Sequence, residues 1–173
     1  MTIYIEKLVK PTQAIAESFN RWENDPALIP LIRPSQSIEE LNRRQEVTVE
    51  ELTKRLENHK YFLIYLDDLL VGEMNYMVDP GHLFKKEEGT AWMGITIGEA
   101  EGRGKGVGYL AVEHLANQAR NEGLKRVELG VFEFNEQAFR LYEKSGFKKI
   151  GVVRDFTYWQ GRMWNDIRME KYL

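Results

Sequence analysis

The stretch "GEAEGRGKGVGYLAVEHLANQAR", Gly98 to Arg120, places four glycines at alternate positions directly before an apolar-periodic helix. These are Gly102, Gly104, Gly106 and Gly108. A helix that begins near Gly106 leaves its first N–H groups without intrahelical partners, and its dipole adds partial positive charge there. Glycines let such amides approach a ligand with no Cβ in the way. The stretch therefore predicts a loop suited to a phosphate, with a plain strand-to-helix turn as the alternative.

Two common phosphate-binding templates do not fit this loop. The P-loop pattern G-x-x-x-x-G-K-[ST] fails because Glu99 stands where its first glycine belongs and Gly106 follows Lys105. The dinucleotide pattern G-x-G-x-x-G fails because its last position is Val107 or Tyr109, depending on the starting glycine. The sequence therefore disfavours both nucleotide hydrolysis and hydride transfer.

The segments on either side of the loop predict a mixed sheet with helices. Helical patterns cover "PTQAIAESFNRWE", with Pro11 in its first turn, a stretch from Thr48 to about Asn58, and "NEQAFRLYEKSG". The proline-rich "PALIPLIRPSQS" predicts a loop. Strand patterns are "TIYIEKL", "YFLIYL", "LLVGEMNYMV", "TAWMGITIG", "RVELGVF", "KKIGVVRDFTYW" and "MWNDIRMEKYL". This order predicts one α+β domain over residues 1–173.

Composition excludes several classes of function. The chain has 173 residues and a net charge of −3, so we expect no general affinity for nucleic acid. It has no cysteine, which removes disulfides, thiolate metal sites and a thiol nucleophile. No apolar run is long enough for a membrane span, and the N-terminus has no signal-peptide pattern. His59, His82 and His114 show no metal-ligand spacing. We therefore expect a cytoplasmic protein that binds no membrane and no metal.

Two motifs resemble those of a known family. "RGKGVG" matches the pattern [Gln/Arg]-x-x-Gly-x-[Gly/Ala], and "FNEQAFRLYEKSGFKKIG" follows about 25 residues later. Together, in this order, they resemble the two main motifs of the GCN5-related N-acetyltransferases. The ending "DFTYWQGRMWNDIRMEKYL" and the early "RWENDP" resemble the branch with ribosomal-protein, diamine and aminoglycoside acetyltransferases. The resemblance implies a splayed, mostly antiparallel sheet of six to seven strands, flanked by about four helices.

The resemblance also implies acetyl-coenzyme A as co-substrate. Pantetheine would bond to the main chain of a splayed strand, and the pyrophosphate to the amides of the glycine loop. Asn135 would hydrogen-bond the pantetheine arm, which is compatible with its alternative role as a helix N-cap. Arg103 would support the loop, or be an ordinary surface arginine. The expected cofactor-binding residues are Ile95, Thr96, Ile97, Arg103, Gly104, Lys105, Gly106, Val107, Gly108 and Asn135.

Tyr142 and Glu73 are the predicted catalytic residues. The resemblance places the Tyr142 hydroxyl near the thioester sulfur, although its helical position also fits a core tyrosine. An alkyl ammonium has a pKa of about 10.4, so neutralising it at pH 7 costs about 4.6 kcal/mol and calls for a base. Glu73 lies inside a strand pattern, on the side that alternation shares with Val71 and Asn75; an edge or solvent-facing position is the alternative. Glu23 and Asp25 are candidates for shaping the acceptor site.

These expectations combine into one predicted reaction. An acetyl group passes from acetyl-coenzyme A to a primary amine of a small molecule or protein N-terminus, by direct attack in a ternary complex. One alternative is an acyl-coenzyme A sensor without turnover, and another is an aminoglycoside-type antibiotic acetyltransferase. The sequence allows a homodimer and leaves the acceptor open.

Overall fold

The computed structural model describes residues 1–173 as seven strands, six α-helices and one 3₁₀ turn at Ala100–Gly102. The strands are β1 (Ile3–Lys7), β2 (Lys60–Leu66), β3 (Leu69–Val78), β4 (Thr90–Ile97), β5 (Arg126–Phe132), β6 (Lys148–Trp159) and β7 (Arg162–Tyr172). The helices are α1 (Gln13–Glu23), α2 (Ile29–Ile32), α3 (Ile38–Leu41), α4 (Val49–Arg55), α5 (Val107–Asn121) and α6 (Glu136–Lys144).

All strands join one sheet, in the order β1-β2-β3-β4-β5-β7-β6. Every neighbouring pair is antiparallel except β4 and β5, which run parallel. The parallel pairing covers only Thr90 to Trp92 against Arg126 to Glu128, and beyond it the two strands separate. This confirms the predicted α+β fold with a splayed, mostly antiparallel sheet.

One face of the sheet is covered by α5 and α6. The apolar stripe of α5 buries Val107, Ala111 and Leu115 against Met74 and Leu129 of the sheet. Residues spaced three or four apart share one side of a helix, and alternate residues share one side of a strand. The apolar side of α5 therefore packs against the apolar side of the strands. This cluster of 19 buried residues is the main core.

The opposite face is covered by α1 and α4, around Phe19 and Trp22. The Thr12 side chain accepts a hydrogen bond from the Ile15 amide, so α1 begins after Thr12. Pro11 therefore precedes the helix and does not lie in its first turn as predicted. The prediction of a plain loop in the proline-rich segment is also wrong, because α2 forms there with Pro30 in its first turn.

The predicted four helices correspond to α1, α4, α5 and α6, while α2 and α3 are four residues each. The predicted helical stretch from Thr48 forms α4, and the Thr48 hydroxyl caps it by accepting from the Glu51 amide. None of the helices is long and apolar enough to cross a membrane.

A bulge in β3 changes which side chains share a face. Ile64 of β2 pairs with Gly72, but the next residue, Tyr65, pairs with Leu70, so Val71 is the extra residue. Val71 consequently packs in the core cluster with Met74, on the face opposite Glu73. The prediction that Val71 and Glu73 share a side is wrong because simple alternation ignores the bulge.

Candidate active site

A cavity of about 870 Å³ opens where β4 and β5 separate. It is bounded by the N-terminus of α5, by α6, and by the segment around α2. All predicted catalytic and cofactor-binding residues line this cavity except Lys105, which is exposed outside it. The residues brought together are Glu73, Ile95, Thr96, Ile97, Arg103, Gly104, Gly106, Val107, Gly108, Asn135 and Tyr142.

The glycine loop presents a row of free amides at one end of the cavity. No main-chain N–H from Gly104 to Tyr109 donates within the protein; the first to do so is Leu110, to the Gly106 carbonyl at 3.2 Å. Gly104 and Gly106 have φ values of +70° and +76°, which only glycine adopts without strain. Consecutive amides in such a turn, followed by a helix N-terminus, form a concave anion-binding surface.

Two glycines of the loop also have structural requirements within the protein, in addition to the ligand access for which the sequence suggested them. A Cβ at Gly106 would meet nothing within 4 Å, so the constraint there is its positive φ. A Cβ at Gly108 would lie 3.0 Å from the Leu141 side chain of α6. Gly108 therefore permits the close packing of α5 on α6, which helps to position Tyr142.

Arg103 and Glu99 hold the loop in place. The Arg103 guanidinium donates to the main-chain carbonyls of Ile97 (3.3 Å) and Gly98 (3.1 Å), at the end of β4. Glu99 accepts from Arg21 and, at 2.9 Å, from the Trp22 indole of α1. Burial acts to raise the pKa of Glu99, but these donors hold it below its usual value. Sequence reasoning missed this anchor because its partners lie more than seventy residues away.

Asn135 caps α6, and it also lies where the cofactor-binding role expected of it would place it. Its side-chain oxygen accepts from the Ala138 amide at 3.3 Å, which caps α6. Its amide nitrogen donates to no group of the protein, and the residue lines the cavity. The nitrogen therefore remains free to donate to an occupant.

Glu73 is buried, with only 8% of its surface exposed. It lies on β3, an interior strand between β2 and β4, so the edge alternative is excluded. The Asn75 amide nitrogen donates to its carboxylate at 3.1 Å. Burial raises the pKa of Glu73 to about 7, against the opposing effect of the Asn75 hydrogen bond. The carboxylate is thus suited to exchange protons near neutral pH.

Tyr142 is both a core residue and a cavity residue. It belongs to the main core cluster, where its ring stands edge-on to Phe147 at 5.9 Å between centroids. Its hydroxyl makes no hydrogen bond within the protein, while the residue lines the cavity. Burial raises the pKa of Tyr142, so the hydroxyl keeps its proton.

Glu23 and Asp25 do not reach the cavity. Both oxygens of Glu23 pair with Arg55, at 2.7 and 2.9 Å. Asp25 accepts from the Ala27 amide at 2.9 Å and so stabilises the turn after α1. The cavity is lined instead by apolar residues of the next segment, such as Leu28 and Leu31.

Trp159 and Trp164 of the last hairpin lie outside the cavity, whereas Phe156 of the same hairpin lines it. The ring of Trp159 packs on Phe134 at 4.3 Å between centroids, and Trp164 packs edge-on to the same ring. The three histidines do not come together, and no group of three or more His, Asp or Glu residues is placed to hold a metal ion.

Sequence reasoning missed one wall of the cavity, which comes from the loop after β3, from β4 and from the last two strands. Here the Arg168 guanidinium lies over the Trp92 ring at 4.8 Å and donates to Asp166 at 2.8 Å. A signal existed, since Asp166, Arg168 and Glu170 alternate along a strand pattern with apolar residues between them. Charges on one side of a strand that is paired on both edges indicate a buried polar network.

Comparisons with known proteins agree with this geometry. The family model described as "Acetyltransferase (GNAT) family" matches residues 17–147. An N-acetyltransferase 9-like protein of Caenorhabditis briggsae is 24% identical over 148 residues, which cover 81% of this chain and 73% of that protein. The spermine/spermidine N(1)-acetyltransferase of Bacillus subtilis is 30% identical over 62% of this chain and 70% of its own. The structure of spermidine N-acetyltransferase from Vibrio cholerae, in complex with CoA and spermine, superimposes with a TM-score of 0.74, at 17% identity, over 98% of this chain and 95% of that one.

Proposed function

Because the chain belongs to the acetyltransferase (GNAT) family, we propose that it transfers an acetyl group from acetyl-coenzyme A to a primary amine of a small molecule or protein N-terminus. One observation carries the proposal. A single cavity joins a row of unpaired loop amides to a buried carboxylate, Glu73, and a buried hydroxyl, Tyr142. Such a cavity supports binding of two substrates side by side, and direct attack between them needs no covalent intermediate on the protein.

The residues present fit the coenzyme. The amides from Gly104 to Tyr109 would bind its pyrophosphate, because they lack any acceptor in the protein. The free amide nitrogen of Asn135, and the main chain of β4 where β5 has separated, would bind the pantetheine arm. When bound, the coenzyme supplies the activated acetyl thioester. The Arg103 guanidinium would act indirectly, because it is engaged with main-chain carbonyls.

Glu73 would accept a proton from the acceptor ammonium. Transfer from a group of pKa 10.4 to a carboxylate of ordinary pKa, 4.5, costs about 8 kcal/mol, at about 1.4 kcal/mol per unit. With the pKa of Glu73 raised to about 7, the same transfer costs about 5 kcal/mol. Burial of Glu73 therefore makes it a better base, and Asn75 holds the carboxylate in one orientation.

Tyr142 would donate a hydrogen bond to the charge that develops on the departing sulfur. A thiol has a pKa of about 8.5 and a free tyrosine one of about 10, so full proton transfer is already uphill. Burial raises the pKa of Tyr142 further, which makes that transfer still less favourable. The hydroxyl therefore acts as a positioned donor, and its lack of any protein partner leaves it free to do so.

Thiol release from acetyl-coenzyme A, measured with a panel of amines, tests this function. The panel contains polyamines, aminoglycosides and peptides with free N-termini. Release with an amine, and formation of the acetylated product, would support the proposal. Binding of acetyl-coenzyme A without release for any amine would instead favour the sensor alternative. Selective turnover of aminoglycosides would favour the antibiotic alternative.

A further inference from the structure

Asp166 of β7 carries a buried oxygen without a hydrogen-bond donor. The residue is 2% exposed, and one carboxylate oxygen accepts from Arg168 at 2.8 Å. The other oxygen has no partner in the protein. Buried polar atoms are nearly always paired, because an unpaired one costs free energy. Since Asp166 lines the cavity, we expect an occupant of the cavity to supply the missing donor.

The charges that line the cavity differ between its two ends. Arg103 and Lys144 lie at the glycine-loop end, where a pyrophosphate would bind. On the side of the sheet that carries Glu73, the lining has two carboxylates, Glu73 and Asp166, against the single guanidinium of Arg168. The Arg168 guanidinium also forms an ion pair with Glu128, at 3.6 Å. Burial raises the pKa of Asp166 while Arg168 opposes that shift, and a further cation would stabilise its charge.

Glu73 and Asp166 flank the separated strands on one face of the sheet. Glu73 pairs with Thr96 of β4, and Asp166 pairs with Phe132 of β5. β3 and β7 are three strand positions apart, which corresponds to about 14 Å or more at about 4.8 Å per strand. An acceptor that reaches both carboxylates must therefore be elongated and cross the gap between β4 and β5.

We propose that Asp166 binds the second ammonium group of a diamine acceptor whose reactive amine lies at Glu73. This subsite rests on the proposed function and adds a substrate class to it. Gly130 makes room for the carboxylate, because a Cβ there would lie 2.3 Å from the Asp166 oxygen that Arg168 binds. Asp166 is thus a specificity-determining residue that is separate from the transferring groups.

The test compares diamines with monoamines of the same length. Binding of α,ω-diamines with four to eight methylene groups, and of the matching n-alkylamines, is measured by calorimetry with coenzyme A present. We expect a diamine to bind the wild-type protein at least about tenfold more tightly, the factor that about 1.4 kcal/mol gives. Asp166→Asn should bring the diamine-to-monoamine ratio close to one. The asparagine oxygen can still accept from Arg168, whereas its amide group replaces the free oxygen.

Asp68→Asn, in the exposed turn between β2 and β3, is the matched control and should keep the ratio. Three results would overturn the proposal: no diamine preference in the wild-type protein, a preference that survives in Asp166→Asn, or an amino alcohol that binds as tightly as the diamine. The first and third of these need no variant, so poor folding of Asp166→Asn cannot hide them. Diamine preference in binding without thiol release would refute the proposed function and leave the subsite standing.

Discussion

Replacing Glu73 with glutamine is expected to stabilise the fold at alkaline pH while it removes the acceptor base. Glutamine has nearly the shape of a protonated glutamate and keeps an oxygen that can accept from Asn75. It carries no charge at any pH. The variant therefore separates the energetic cost of a buried carboxylate from its use in proton transfer.

The magnitude follows from the raised pKa. Because the folded-state pKa of Glu73 is about 7 against an ordinary 4.5, the folded protein binds the proton more tightly than the unfolded chain. The stability that the protonated group contributes is complete below about pH 4.5 and is lost as the pH rises through about 7. A shift of about 2.5 units corresponds to about 3 kcal/mol, and Glu73 is buried enough for that value to apply.

Urea denaturation at pH 5 and pH 8 measures this difference. We expect the free energy of unfolding of Glu73→Gln, relative to wild type, to be about 2.5 kcal/mol higher at pH 8 than at pH 5, because an unfolded-state glutamate is already largely ionised at pH 5. Thiol release should fall strongly in the same variant. Glu57→Gln, an exposed glutamate just after α4, is the control and should show neither effect. An equal stability difference at both pH values would refute the reasoning that burial raises the pKa of Glu73.

The remaining predictions concern the other parts of the site. Tyr142→Phe should lower kcat by about 100-fold, which is the usual effect of removing one positioned donor, with little change in KM for acetyl-coenzyme A. Unchanged turnover would exclude Tyr142 as a donor to the departing sulfur. In the wild-type protein kcat/KM should rise with pH through about 7, because Glu73 acts in its ionised form, and this rise should be absent from the pH profile of Glu73→Gln. Gly106→Ala should weaken coenzyme binding and lower the free energy of unfolding by about 1–2 kcal/mol, because alanine is strained at the positive φ of this position. Gly161→Ala, with a similar φ in the distant β6–β7 turn, should lower the stability alone. Calorimetry with coenzyme A measures the binding, and thermal unfolding measures the stability.

Several features of the site follow from short stretches of sequence. The order of strands and helices, the glycine loop, the start of α5 and the cap at Asn135 depend on neighbouring residues, so periodicity and capping patterns predict them. The two family motifs predicted the acetyltransferase fold, which the sheet and the family match confirm. The cytoplasmic location and a homodimer stay predictions.

Other features depend on contacts between distant parts of the chain. Trp22 and Glu99 are 77 residues apart, yet their hydrogen bond anchors the glycine loop to α1. The bulge at Val71 places that side chain in the core and off the face of Glu73, and it is visible only in the pairing with β2. Asp166 becomes a cavity residue because β7 lies beside β5, a position in the sheet that no local pattern specifies.

The sequence by itself determined the proposed donor end of the site, and the tertiary structure decided the proposed acceptor end. Backbone conformation at a glycine and unpaired amides at a helix start are local properties, set by residues within one turn of each other. Burial, and the pKa shift of Glu73 that follows from it, require strands and helices from different parts of the chain to exclude water together. The carboxylates proposed to bind the acceptor, Glu73 and Asp166, therefore become buried only when the sheet has formed.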